Sequence, residues 1–137
     1  MPLAIDLSAN TLTVKRTVAT SDTATKGMAL IADSDTTVDD APAGSDLAMF
    51  VAKETKTAGE RVECFVLGTG GVIPVLVGTG GATVGLSAKL AADGFTDAST
   101  HDSDGGGEEA TYGKFLESGT AGQFVGMINS GFSVRGV

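Results

Sequence analysis

The residues of this sequence best suited to chemistry are a single histidine and the polar side chains beside it. His101, Asp102, Ser103 and Asp104 lie in one acidic, glycine-rich segment, residues 99–109. A hydrolytic triad needs a histidine base held beside a nucleophile and an orienting acid. A loop holds such geometry poorly, so we predict a solvent-exposed histidine and no catalytic residue here.

The same segment contains weak candidates for metal ligands, Asp102 and Asp104. If they stood at positions 3 and 5 of an EF-hand loop, positions 1 and 12 would fall on Thr100 and Thr111, where carboxylates are required. The EF-hand interpretation therefore fails, and loose binding of Ca²⁺ or Mg²⁺ stays open as an alternative. The sequence predicts no dedicated metal site and no cofactor.

Cys64 and a repeated glycine-rich tetrapeptide complete the candidates for chemistry. Cys64 lies among apolar residues, which indicates a small buried side chain rather than a nucleophile. The tetrapeptide GTGG occurs at 68–71 and 78–81. A P-loop needs G-x-x-x-x-G-K-[ST], and a dinucleotide fingerprint needs a helix after its glycines. Neither pattern is present, so we predict that the protein is not an enzyme.

The central stretch, residues 62–86, consists of apolar runs separated by the GTGG tetrapeptides. Each run has the length and the Val, Ile and Leu content of a β-strand. Glycine adopts positive φ without steric cost, so GTGG predicts tight turns between antiparallel strands. The run 72–77 is apolar on both faces, which predicts burial inside a small barrel or between subunits. Its apolar residues include Val72, Ile73, Val75 and Val77.

Length and composition favour one small all-β domain. The chain has 137 residues and 20 glycines, and it lacks a long helical pattern. We expect a single β-barrel or β-tulip-like domain at 26–130, an extended N-terminal arm at 1–25 and a C-terminal tail at 131–137. The acidic segment 33–44 is predicted to be an exposed loop. Further strands are predicted at 11–18, 26–32, 47–52, 89–91, 112–117 and 123–128.

One pattern occurs twice in the chain. The sequence E-x-x-T-A-G-x-x-V is found at 54–62 and again at 117–125. In each copy a strand ends, a Thr-Ala-Gly turn follows, and a new strand starts at the valine. Two copies predict a domain of two similar halves rather than a solenoid, which needs at least three repeats.

The charge balance constrains the partners. Seventeen Asp and Glu face nine Lys and Arg, giving a net charge of −8. Such a surface repels nucleic acid and anionic membranes. Simple solubility and adaptation to high salt are both open explanations. No apolar run approaches the roughly 20 residues of a membrane span, and the N-terminus lacks a signal-peptide pattern, so we expect synthesis in the cytoplasm.

The order of segments resembles the capsid cement, or head decoration, proteins of tailed double-stranded DNA viruses of bacteria or haloarchaea. The motifs that carry the resemblance are AGERV at 58–62, ADG at 92–94 and LESGTAGQFV at 116–125. It covers about residues 26–128, whereas the first 25 residues and the acidic segment 99–109 depart from the family pattern.

The resemblance implies a small β-barrel body without enzymatic activity, located in the virion on the outer surface of the mature capsid. It implies the major capsid protein as partner, and homotrimers at three-fold and quasi-three-fold positions of the capsid lattice. A trimeric clamp multiplies modest contacts through effective concentration. Stabilisation of the capsid lattice against internal DNA pressure is the function that this implies.

Interface candidates follow from exposed-strand and apolar patterns. We hypothesise that the strand 72–77 forms the trimer and that the arm 1–25 binds the capsid. The adjacent Lys15 and Arg16 are either a contact for an acidic partner or a solvated strand edge. A soluble β-barrel module that binds a small ligand or a metal is the alternative function. The candidates are Leu12, Val14, Lys15, Arg16, Val72, Ile73, Val75, Val77 and Phe132.

Overall fold

The structure, a computed structural model, describes residues 11–98, 109–131 and 133–135. These residues form β-strands without any helix, which confirms the predicted all-β fold. None of them belongs to a helix able to cross a bilayer. The strands are β1 (Thr13–Val18), β2 (Thr23–Ala24), β3 (Ala29–Ala32), β4 (Thr37–Asp40), β5 (Ala48–Ala52), β6 (Lys56–Thr57), β7 (Arg61–Val66), β8 (Val72–Leu76), β9 (Ala88–Ala91), β10 (Gly94–Asp97), β11 (Glu109–Thr111), β12 (Lys114–Phe115), β13 (Phe124–Ile128) and β14 (Ser133–Arg135).

The first half of the domain, residues 11–67, is a closed barrel with the strand order β1-β4-β3-β5-β7. β1 closes the barrel, because it pairs with β4 in parallel and with β7 antiparallel. Alternate side chains point inward, as the two-residue period of a strand requires. The inward side chains form a buried core of Val18, Ala24, Leu30, Val38, Phe50, Ala52, Val62 and Cys64.

The second half, the described residues between 70 and 131, repeats this strand order as β8-β10-β9-β12-β13. β8 pairs with β13, β13 with β12, and β9 with β10. Two bridges complete the circuit, Val77 to Phe95 in parallel and Ser87 to Lys114 antiparallel. The parallel bridge stands where the first half has its parallel pair Val18 and Val38. The halves therefore share one topology.

The recurring E-x-x-T-A-G-x-x-V pattern has the same hydrogen bonds in both halves, which confirms the predicted duplication. The glycine N–H donates to the carbonyl of a valine elsewhere in the same half. The N–H of that valine donates to the carbonyl of the residue after the glycine. The leading glutamate accepts from a main-chain N–H of the following strand. All of these bonds are 2.8–3.1 Å long. In the first half they run from Gly59 to Val18, from Val18 to Glu60 and from Glu63 to Glu54. In the second half they run from Gly122 to Val77, from Val77 to Gln123 and from Gly126 to Glu117.

The two cores differ in side-chain volume at equivalent positions. Where Gly27 donates to the Ala52 carbonyl at 2.9 Å, Gly85 donates to the Phe115 carbonyl at 2.8 Å, so Ala52 corresponds to Phe115. The registers likewise match Leu30 to Ala88, Val38 to Phe95 and Cys64 to Met127. Three of these four positions hold the larger side chain in the second half, and only Ala88 is smaller than its equivalent, so each half is packed with its own set of side-chain volumes.

The predicted boundary between arm and barrel is corrected by the position of β1. Thr13–Val18 lies within the first barrel, hydrogen-bonded on both sides, so it is not an extended arm. Its inward residue Val18 is buried, which anchors the strand. Residues 1–10 of the predicted arm lie outside the described residues.

The predicted turns and loops need three further corrections. GTGG at 68–71 joins β7 of the first half to β8 of the second, and neither tetrapeptide closes a hairpin. The predicted positive φ is present, 100° at Gly70 and 112° at Gly80. The segment 33–44 contains β4, and of the predicted strand 112–117 only Lys114–Phe115, β12, is strand.

Candidate functional site

The contact between the two halves is an apolar seam. Ala29, Val51 and Phe65 point out of the first barrel and belong to the same buried cluster as the core of the second half. Gly27 allows the closest approach, since a Cβ built there would lie 2.6 Å from the Leu76 nitrogen. The Leu76 N–H donates to the Gly27 carbonyl at 2.9 Å. One shared core therefore makes the two halves a single domain.

Two polar side chains fix the geometry of the seam. The amide of Asn129, which is fully buried, accepts from the Gly68 N–H at 2.8 Å and donates to the Val66 carbonyl at 3.0 Å. The Tyr112 hydroxyl donates to the Ser45 carbonyl at 2.7 Å and accepts from the Ala48 N–H at 3.2 Å. Buried polar groups are tolerated when they are bonded in this way.

The first half has an apolar seat, the outward surface of its barrel on which the second half packs. The second half has no such surface at the equivalent positions. The positions equivalent to Ala29, Ala48 and Val51 are Ser87, Thr111 and Lys114, and they line an open depression of about 170 Å³. Polar side chains at these positions disfavour the packing of a third such unit. The depression is smaller than typical small-molecule sites, which measure roughly 300–1,000 Å³.

The structure places most of the predicted trimer strand inside the second half, which corrects that prediction. Ile73, Val75 and Val77 are buried by this chain itself. They point into a barrel interior and are unavailable to a partner. Of the two explanations for a strand apolar on both faces, burial within the barrel holds for these three residues. Val72 points outward and is half-buried.

The predicted contact residues of β1 are divided between its two faces. Lys15 points outward and is exposed, whereas Val14 and Arg16 pair with the inward residues of β7. Leu12 comes before β1 and is exposed. The Arg16 guanidinium lies 5.7 Å from the centre of the Phe50 ring. The basic pair is therefore not one continuous contact surface.

The residues proposed for chemistry contribute no assembled site among the described residues. Cys64 is buried, and burial raises the pKa of its thiol to about 11, so it stays a thiol at neutral pH. The described residues contain no group of three or more potential metal ligands. His101, Asp102 and Asp104, together with the interface candidate Phe132, lie outside the described residues.

Acidic side chains gather at one end of the first half. A hydrogen bond with Asp39 raises the pKa of Asp22, and burial and the charges of Asp39, Asp40 and Asp33 raise it further. Burial, followed by the charge of Asp39, also raises the pKa of Asp40. This end of the molecule concentrates negative charge and repels other acidic surfaces.

An exposed apolar surface on the second half was missed at the sequence level. Register pairs Val72 with Ile128 and Leu76 with Phe124 on the outer side of β8 and β13. Leu116 lies beside them, since its Cβ is 3.7 Å from a Cβ built on Gly126. Phe124 and Leu116 are each 46% exposed and Ile128 is 40% exposed. We call this surface the outer apolar face; its residues are Val72, Pro74, Leu76, Leu116, Phe124 and Ile128.

The same surface on the first half is polar wherever it is exposed. Lys53 forms a salt bridge with Glu63 at 3.5 Å, where the second half has Leu116 over Gly126. The remaining equivalents of the outer apolar face are Thr13, Lys15, Thr17, Arg61 and Phe65. Phe65 is 4% exposed because it lies in the seam. The sequence QFVGMI at 123–128 contained residues of this face. Apolar side chains occur there at both odd and even positions, so the pattern alone did not show which set of side chains was exposed.

Comparison with known proteins gives a structural likeness and no sequence match. No protein-family model matches the chain, and no curated protein matches it. Among solved structures, the chain is similar to the head fiber gp8.5 N base in bacteriophage phi29, with a TM-score of 0.62 and 15% identity. The match covers 87% of this chain and 93% of that chain. At this identity the likeness shows a shared all-β fold.

Proposed function

We propose that this protein is a structural protein of a tailed double-stranded DNA virus that binds the outer surface of the mature head. Its partner is the major capsid protein, its location is the virion, and it acts without enzymatic activity. The observation that carries this proposal is the fold shared with a phage head fiber base over most of both chains. The segment order that resembles head decoration proteins supports the same conclusion independently.

We further propose that the bound protein stabilises the capsid lattice. Densely packed DNA pushes the shell outward, and a clamp between capsomers adds contact area where the shell would separate. A homotrimer at three-fold or quasi-three-fold positions would present three identical contacts to such a site. The net charge of −8 suits a surface carried in many copies, because the decorated particles repel one another.

The test is sedimentation of the purified protein with undecorated heads of the cognate virus. We expect saturable, stoichiometric co-sedimentation with mature heads and a higher temperature of head rupture after decoration. Absence of co-sedimentation would overturn head association. Co-sedimentation without any change in rupture temperature would overturn the cementing function and leave head association standing.

The capsid-binding role of the N-terminal arm is retained as a proposal for residues 1–10. Deletion of the first 20 residues would remove the whole of β1 and open the first barrel, so the informative deletion is residues 1–10. We expect this variant to keep its thermal midpoint and lose head binding. Undiminished binding would assign capsid contact to the barrels instead.

Adaptation to a high-salt host is the further explanation of the acidic surface. Screening of like charges would then support the fold or its assembly. The measurement is the thermal midpoint from molar to millimolar salt, and an unchanged midpoint and solution mass would exclude this explanation. The alternative function, a binding module for a small ligand or metal, draws no support from the 170 Å³ depression.

A further inference from the structure

We propose that the outer apolar face binds a second copy of this chain. The inference rests on the proposed function, since it assigns a surface to the self-association expected of a head protein. The sequence-based prediction placed the contact between copies on strand 72–77, whose Ile73, Val75 and Val77 are buried. The contact proposed here lies instead on the outward side of β8 and β13. The observations that carry it are the contrast between the two halves, the continuity of the face with the seam, and its charge.

The two halves supply an internal comparison for this surface. They share strand order and hydrogen bonds, yet the exposed outer surface of the first half carries Lys15, Lys53, Glu63 and Arg61, whereas the second half carries apolar side chains there. On the first half the apolar member of this surface, Phe65, is covered by the seam. At this surface of the first half, the single apolar side chain is therefore one that packs against another unit.

The outer apolar face is continuous with the seam between the halves. Phe124 borders both, because a Cβ on Gly27 would lie 2.8 Å from the Phe124 ring. The Lys26 amino group lies 5.1 Å from the centre of the same ring. From Phe124 the face extends across Gly126 to Val72, whose methyl group would lie 3.0 Å from a Cβ on that glycine. The face is thus one contiguous patch that begins at an interface already present in the fold.

Charge explains why copies of this chain would meet at this face. Each copy carries a net charge of −8, so most faces of two copies repel each other. The carboxylate bordering the outer apolar face, that of Glu117, accepts a hydrogen bond from the Gly126 N–H at 2.9 Å. Exposed apolar patches rimmed by polar residues mark protein interaction sites, and here the uncharged centre allows two acidic molecules to approach.

The decisive variant gives the second half the residues of the first. Val72→Thr with Leu116→Lys introduces the equivalents Thr13 and Lys53 at positions where the same fold accepts them. Mass measurement by light scattering over a dilution series should show association of the wild type and a dissociation constant raised about tenfold or more in the variant. The matched control, Leu47→Lys with Met49→Thr, changes two exposed apolar residues elsewhere and should associate as the wild type does.

Three results would overturn the inference: a wild type that is monomeric at every concentration, a double variant with wild-type mass, or equal weakening by the control. If the double variant fails to fold, Leu116→Cys decides instead. We expect its reaction with a maleimide to slow at concentrations where the wild type associates, and Leu47→Cys to react at one rate throughout. A constant rate for Leu116→Cys overturns the inference.

The head-sedimentation assay separates this inference from the proposed function. A monomeric wild type that still co-sediments with heads would overturn self-association through this face and leave head binding intact. An associating wild type whose double variant is monomeric, with neither binding heads, would support the face and overturn the proposed function. A double variant that stays associated yet loses head binding would assign the face to the capsid.

Discussion

The two halves of this domain follow one topology and differ in how they treat the same surfaces. The first half has an apolar seat at Ala29, Val51 and Phe65, and the second half packs on it. The second half has a polar depression at that place and an apolar outer face where the first half is charged. A duplicated chain thus forms one finite domain when the second copy has a polar surface at the place where the first copy packs against its partner half. The remaining exposed apolar surface is where we propose further contact.

The largest effect is expected from the core of the second half. Phe115 is buried and occupies the position of Ala52 in the first half. Phe115→Ala should lower the free energy of unfolding by about 3–5 kcal/mol. Alanine is the residue at this position in the first half, but the core of the second half is packed around a phenylalanine ring, so the smaller side chain leaves a cavity. Denaturant unfolding measures this, and Val84→Ala, at an exposed position outside the outer apolar face, should change stability by no more than about 0.5 kcal/mol. Equal losses at both positions would contradict the assignment.

The next comparison uses a pair of glycines with matching conformation. Gly27 and Gly85 have φ of 82° and 85°, but a Cβ on Gly27 would strike the Leu76 main chain, whereas that on Gly85 would meet nothing within 4 Å. Gly85→Ala should cost about 1–2 kcal/mol for the left-handed backbone alone. Gly27→Ala should cost about 1–3 kcal/mol more through overpacking of the seam. Equal thermal shifts in the two variants would show that the seam does not distinguish the halves.

The buried amide of the seam gives an intermediate effect. Asn129→Ala removes the acceptor of the Gly68 N–H and one of the two donors to the Val66 carbonyl, which keeps its bond from the Thr69 hydroxyl. We expect a loss of about 2 kcal/mol, since unsatisfied polar groups cost about 1–3 kcal/mol when buried. The neighbouring exposed Ser130→Ala serves as the control in denaturant unfolding. A stability equal to the control would mean that water replaces both bonds.

The smallest effect concerns the repeated turn and its dependence on pH. The Thr57 N–H, and then the Thr57 hydroxyl, lower the pKa of Glu60, while Gln123 accepts the equivalent bond from Thr120 without titrating. A lowered carboxyl pKa gives stability that is present above the unfolded value of 4.5 and is lost as pH falls through the folded value.

Glu60→Gln should therefore leave the thermal midpoint nearly unchanged at pH 7 and reduce its fall below about pH 4.5. The reverse change, Gln123→Glu, should add acid sensitivity to the second half. Thermal midpoints between pH 7 and pH 3 measure both, and parallel curves for all three proteins would refute the role of this carboxylate.

Local pattern was sufficient for several features of the fold. The short apolar runs at 47–52 and 123–128 predicted the strands Ala48–Ala52 and Phe124–Ile128. The E-x-x-T-A-G-x-x-V pattern predicted the duplication, because a turn is specified by neighbouring residues that hydrogen-bond to one another. The positive φ of the GTGG glycines was likewise a local property.

Strand pairing and the exposed surface were decided by the tertiary structure. The sequence placed hairpins at the GTGG turns, yet β7 and β8 belong to different halves, because pairing depends on contacts between residues distant in the chain. Thr37–Asp40 is a strand despite its aspartates, since burial of Val38 between β1 and β3 outweighs its weak local propensity. The sequence by itself determined that the chain is a duplicated β domain. Only the packing of one half on the other determined which apolar residues are enclosed and which remain on the surface.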